Sequence, residues 1–64
     1  MSNNMVLCNQ NLHDAYQLLQ KGHLRESIEQ YQLACKNTFN QSLKNNIKCT
    51  IAILQYHQKK ENTD

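Results

Sequence analysis

Six side chains of this 64-residue chain could ligate a metal or act as nucleophile and base: the thiols of Cys8, Cys35 and Cys49 and the imidazoles of His13, His23 and His57. A protein zinc site needs such ligands at short, repeated spacings that bring them to one face. No two of these six stand at a recognised ligand spacing on one face, and no C-x-x-C pair occurs. An odd number of cysteines also argues against a disulfide framework. For covalent catalysis, Cys49 and His57 are the pair to consider, but eight residues on a helix set them roughly 80° apart. Asp14, Glu26 and Glu29 fall at ordinary helix-surface positions. We therefore expect no catalytic residue, no metal site and no cofactor, and expect the chain not to be an enzyme. The three cysteines lie on apolar stripes, where a free thiol behaves as a small buried hydrophobe.

The lysines are the next group with chemistry to offer. Residues 1–35 carry two basic and three acidic side chains, a net of −1, whereas residues 36–64 carry five lysines against Glu61 and Asp64, a net of +3. Lys44, Lys48 and Lys59 share one face by helical spacing and could steer an acidic partner, although such a row is most often a solvated flank. With a single arginine and no dense basic patch, the chain lacks the usual equipment for reading phosphates or guanines, so a nucleic-acid partner is the weakest of the binding readings.

These side chains must be positioned by a small core. The apolar fraction is 39%, with one Phe, three Tyr and no Trp. A chain of this length buries only roughly 60% of the surface it exposes when unfolded. A partner, or a second copy of the chain, is a natural source of extra stability. Nine Asn and eight Gln supply many neutral hydrogen-bonding groups. No apolar run reaches the length of a membrane span and no signal pattern opens the chain, so we expect a soluble, intracellular, cytoplasmic protein.

The absence of Pro, the single Gly and apolar recurrence at three and four residues predict an all-α fold in one domain. Helices are expected at about 4–21, 24–38 and 41–60, with 61–64 a frayed tail. The first carries Met5, Cys8, Leu12, Ala15, Tyr16 and Leu19 on its stripe and starts near Ser2 or Asn4; Gly22 fits the left-handed residue that closes a helix. The second buries Leu24, Ile28, Tyr31, Ala34, Cys35 and Phe39. The third buries Leu43, Ile47, Ile51 and Leu54, with His57 or Gln58 beside them. Short connections force an up-down-up order, centred on Leu12, Ala15, Leu19, Ile28, Tyr31, Ile47, Ile51 and Leu54. Ala15, Ser27 and Ala34 mark close helix approach. Val6, Leu33 and Ile53 fall off the stripes and leave apolar area for a partner.

The residues Gly22, Leu24, Glu26, Ser27, Ile28, Tyr31 and Ala34, in "KGHLRESIEQYQLA", resemble the turn and second helix of a tetratricopeptide repeat (TPR). The repeat's aromatic, leucine and glycine positions fall on Asn11, Asp14 and Ala15, and its closing proline on Phe39. The resemblance implies a helical hairpin with a third, capping helix. Cys8, Leu12 and Ala15 also resemble the first helix of a microtubule-interacting-and-trafficking (MIT) domain, although that family's acidic residue at the end of helix one is Leu19 here. Both resemblances imply a protein-binding module that takes a peptide, a helix or a subunit in an interhelical groove. The alternative is a small subunit or regulator of a larger assembly, stabilised by its partner; a homo-oligomer is also compatible. The expected contacts are Asn9, His13, Tyr16 and Gln20 on the first helix, and Lys44, Lys48, Ile53 and Lys59 on the third.

Overall fold

In the computed structural model, residues 4–61 are described. They form three helices: α1 (Met5–Gln20), α2 (Leu24–Lys36) and α3 (Gln41–Glu61). A start at Ser2 and a tail at 62–64 lie outside the described residues.

Amide side chains cap the starts of α1 and α3. Asn4 accepts the Leu7 N–H at 3.0 Å to cap α1, and Asn40 accepts the Leu43 N–H at 3.0 Å to cap α3. Gly22, at φ +83°, closes α1. The His23 N–H reaches back to the Leu18 carbonyl at 2.9 Å and the Gly22 N–H to that of Leu19 at 3.0 Å, the paired bonds of a Schellman motif. The second helix ends at Lys36, earlier than the expected residue 38, because Asn37 leaves the helix to tie it to α1. Its backbone carbonyl accepts the Asn4 N–H at 3.0 Å, and its side-chain amide donates to Leu33 O at 3.0 Å and to Asn11 Oδ1 at 2.9 Å. Asn11 in turn donates to Gln30 Oε1 at 3.3 Å. α3 runs one residue past its expected end, to Glu61, a position assigned in advance to the frayed tail.

α1 packs on α2 and α2 on α3, and among the described residues no Cα of α1 comes within 8 Å of one in α3. The helices therefore form an open row with α2 in the middle. Ala34 lies between Cys8 of α1 and Ile47 of α3, and its small side chain lets both neighbours approach. Around this centre pack Leu12, Tyr31, Cys35, Leu43 and Ile51. α1 and α2 approach closely at Ala15 and Ser27, both fully buried, where the Ser27 hydroxyl donates to the Ala15 carbonyl at 2.8 Å.

The fully enclosed core is smaller than the helical stripes imply. Ala15, Ile28, Ile47 and Leu54 are buried, but Leu12, Leu19, Tyr31 and Ile51 are only half-buried, because an open row covers each outer helix from one side. Met5 and His57 are exposed, and so is Cys49, which lies away from α2. Phe39, expected in the core, is 53% exposed because α2 has already ended. Its place is taken by Thr38, which is fully buried and whose hydroxyl accepts the Asn40 N–H at 3.1 Å.

Ser27→Ala should lower the urea-unfolding free energy by about 1 kcal/mol through the lost hydrogen bond. Ser27→Leu should cost more, about 1–3 kcal/mol, by forcing the helices apart. Equal midpoints for the two variants would contradict a close crossing at this residue.

Candidate functional site

The expected contact residues occupy three separate places. Asn9, His13, Tyr16 and Gln20 recur at three and four residues along α1, and all four are exposed. Lys44 and Lys48 stand one turn apart on α3, at the corner where the chain arrives from α2. Lys59 continues their face about 16 Å further along the axis at 1.5 Å per residue, outside that corner. Ile53 lies roughly 140° around α3 from Lys48 by the helical turn angle, on the side away from the core.

That outer side of α3 carries a second apolar stripe. Cys49, Ile53 and Tyr56 follow one another at intervals of four and three residues, and Ile53 and Tyr56 remain 58% and 60% exposed. Lys60 sets its ammonium 5.8 Å from the Tyr56 ring centroid, and His57 meets the same ring edge-on at 5.8 Å. On α1, Tyr16 is 54% exposed, next to the buried Ala15. The two outer helices thus each bury one face on α2 and present an aromatic on another.

The corner between α2 and α3 is a depression of about 400 Å³ lined by Cys35, Lys36, Phe39, Lys44 and Lys48. The Lys44 ammonium sits 5.9 Å from the centroid of the Phe39 ring. The Cys35 thiol lies 4.0 Å from the Lys44 carbonyl, toward which it donates. Burial pushes the Cys35 thiol above its ordinary range, while Lys48 and Lys44 pull the other way and offset only part of that rise. A thiol held protonated is an apolar wall and not a nucleophile.

Cys35, Lys36 and Phe39 were not anticipated as lining residues. Their sequence signals were those of a core thiol, a helix-end cation and a core aromatic. The usable signal was the short turn itself, since a four-residue connection must set the last turn of α2 beside the first turns of α3. Among the described residues no group of three His, Cys, Asp or Glu side chains could hold a metal ion, and no helix there is long and apolar enough to cross a membrane. Comparison with protein-family models, curated proteins and solved structures gave no match.

The thiols should react in order of access. Near neutral pH, iodoacetamide should modify Cys49 first, Cys35 much more slowly and Cys8 only with unfolding, as read by peptide mass spectrometry. Because the folded pKa of Cys35 is raised, the native state keeps a proton that the unfolded chain loses. Its contribution to stability therefore falls as pH rises through the thiol range. A Cys35→Ser variant should flatten that part of the stability curve.

Proposed function

We propose that this protein is a non-enzymatic protein–protein interaction module of the cytoplasm, a TPR-like or MIT-like helical hairpin with a third capping helix, that binds a partner's peptide, helix or subunit. The observation that carries this reading is the outer face of α3, where Cys49, Ile53 and Tyr56 make an apolar stripe opposite the one already spent on α2. A soluble helix normally has one apolar face, and a second one marks surface meant to be covered. The row Lys44, Lys48 and Lys59 flanks it and favours a partner of negative charge. Asn9, His13, Tyr16 and Gln20 form the matching contact face on α1, with an aromatic anchor among polar groups.

The thin core favours a second reading, a small subunit or regulator of a larger assembly that draws stability from its partner. Thr38, Cys8 and Ser27 are the largest fully buried side chains. Burial of such small groups contributes little hydrophobic free energy.

Affinity capture with the intact chain and with a Tyr16→Ala, Ile53→Ser double variant tests the leading reading. Both positions are exposed, so helical content and melting should be unchanged while the captured partners disappear. Identical partner sets would reject these faces. Melting that is cooperative and independent of concentration in the isolated monomer would count against the second reading.

A further inference from the structure

The depression between α2 and α3 is unusual in its charge. Three lysines, Lys36, Lys44 and Lys48, line it, and among the described residues no carboxylate lies within 4.0 Å of their ammonium groups. The acidic side chains among the described residues are elsewhere. Glu26 lies in the first turn of α2 and Glu29 near its middle, some 10–15 Å from Lys36 at about 1.5 Å per residue, and Glu61 lies about 20 Å beyond Lys48 on the same scale. Asp14 is on α1, across the row of helices. Among the described residues, the like charges of these lysines are therefore left without a neutralising partner.

The rest of the lining is apolar: the Phe39 ring, the protonated Cys35 thiol and the aliphatic stems of the lysines. A volume of about 400 Å³ falls within the range of small-ligand sites. Along α3 the depression spans only the turn from Lys44 to Lys48, about 6 Å, which is shorter than the i to i+7 footprint of a docked helix. Lysines act as point charges without the planar fork of arginine, so they suit a compact, multiply charged phosphate better than a planar carboxylate.

We infer that this corner is a binding site for a small organic phosphate, whose flat apolar body lies against Phe39 and whose phosphate is held between Lys44 and Lys48 with Lys36 nearby. The site shares two lysines with the row assigned to partner steering, but it stands on the depression and is independent of the outer α3 face. Phenyl phosphate is the probe, with inorganic phosphate and phenol as its two halves, titrated into the full chain at low salt and followed by amide chemical shifts.

Phenyl phosphate should bind at least about tenfold more tightly than either half, a difference of roughly 1.4 kcal/mol. Its shifts should centre on Cys35, Phe39, Lys44 and Lys48, and binding should weaken as salt rises. Phe39→Ala should reduce phenyl phosphate to the level of inorganic phosphate. The Lys44→Gln, Lys48→Gln pair should abolish the preference for charge while leaving the helical spectrum intact. Unsaturable shifts, equal binding of phenyl phosphate and phenol, or undiminished binding by the lysine pair would overturn the site. So would an acidic peptide that binds at this corner where phenyl phosphate does not. The Ile53→Ser change should leave phenyl phosphate binding untouched, so loss of partner capture in that variant does not bear on this site.

Discussion

The Ser27 hydroxyl reaches the Ala15 carbonyl at 2.8 Å because neither helix carries a bulky side chain where they cross. That short approach fixes the rotation of α2 about its own axis, and the rotation decides which of its residues face α3. Ala34 then falls between Cys8 and Ile47, and Cys35 turns toward the start of α3. Helix packing at such a distance admits little freedom, since interiors are close-packed and small displacements forfeit many contacts at once.

Amide side chains supply the second layer of control. Asn4, Asn37 and Asn40 sit at helix ends, while Asn11 is buried inside α1 and bridges Asn37 and Gln30. Buried polar groups are tolerated when they are hydrogen-bonded, and among the described residues no buried side-chain nitrogen or oxygen lacks a partner. A chain rich in Asn and Gln thus spends part of that inventory on geometry, fixing where α2 ends and where α3 starts. Its surface solvation is only the remainder.

Much of this was legible in the residue order. Apolar spacing gave three helices, the short connections gave which helices are neighbours, Gly22 gave the corner between the first two, and the off-stripe positions of Val6, Leu33 and Ile53 corresponded to exposed aliphatics. Spacing fixes angles around one helix but says nothing of how many neighbours will cover it. For that reason Leu12 and Ile51 are covered on one side only, whereas Phe39 is exposed because α2 ends before it and Cys49 because it faces away from α2. Asn11 stands three residues after Cys8 and four before Ala15, the spacing of a buried face, yet its polarity disguised it. The basic corner could be half read: Lys44 and Lys48 were singled out, whereas Lys36 and Phe39 join them only through the turn.

The open order of the three helices also governs how events at one place are felt at another. Among the described residues no Cα of α1 comes within 8 Å of one in α3, so a change at either outer helix reaches the other chiefly by altering α2, through Ala34 and the Asn37 link. Energetic coupling between two surfaces requires a shared element whose arrangement both can bias. Here that element is a short helix clamped at Ser27 and at Asn37, with little room to shift. A helix held at both of those points passes on little of what happens to either neighbour, so α1 and α3 each answer to α2 far more than to one another.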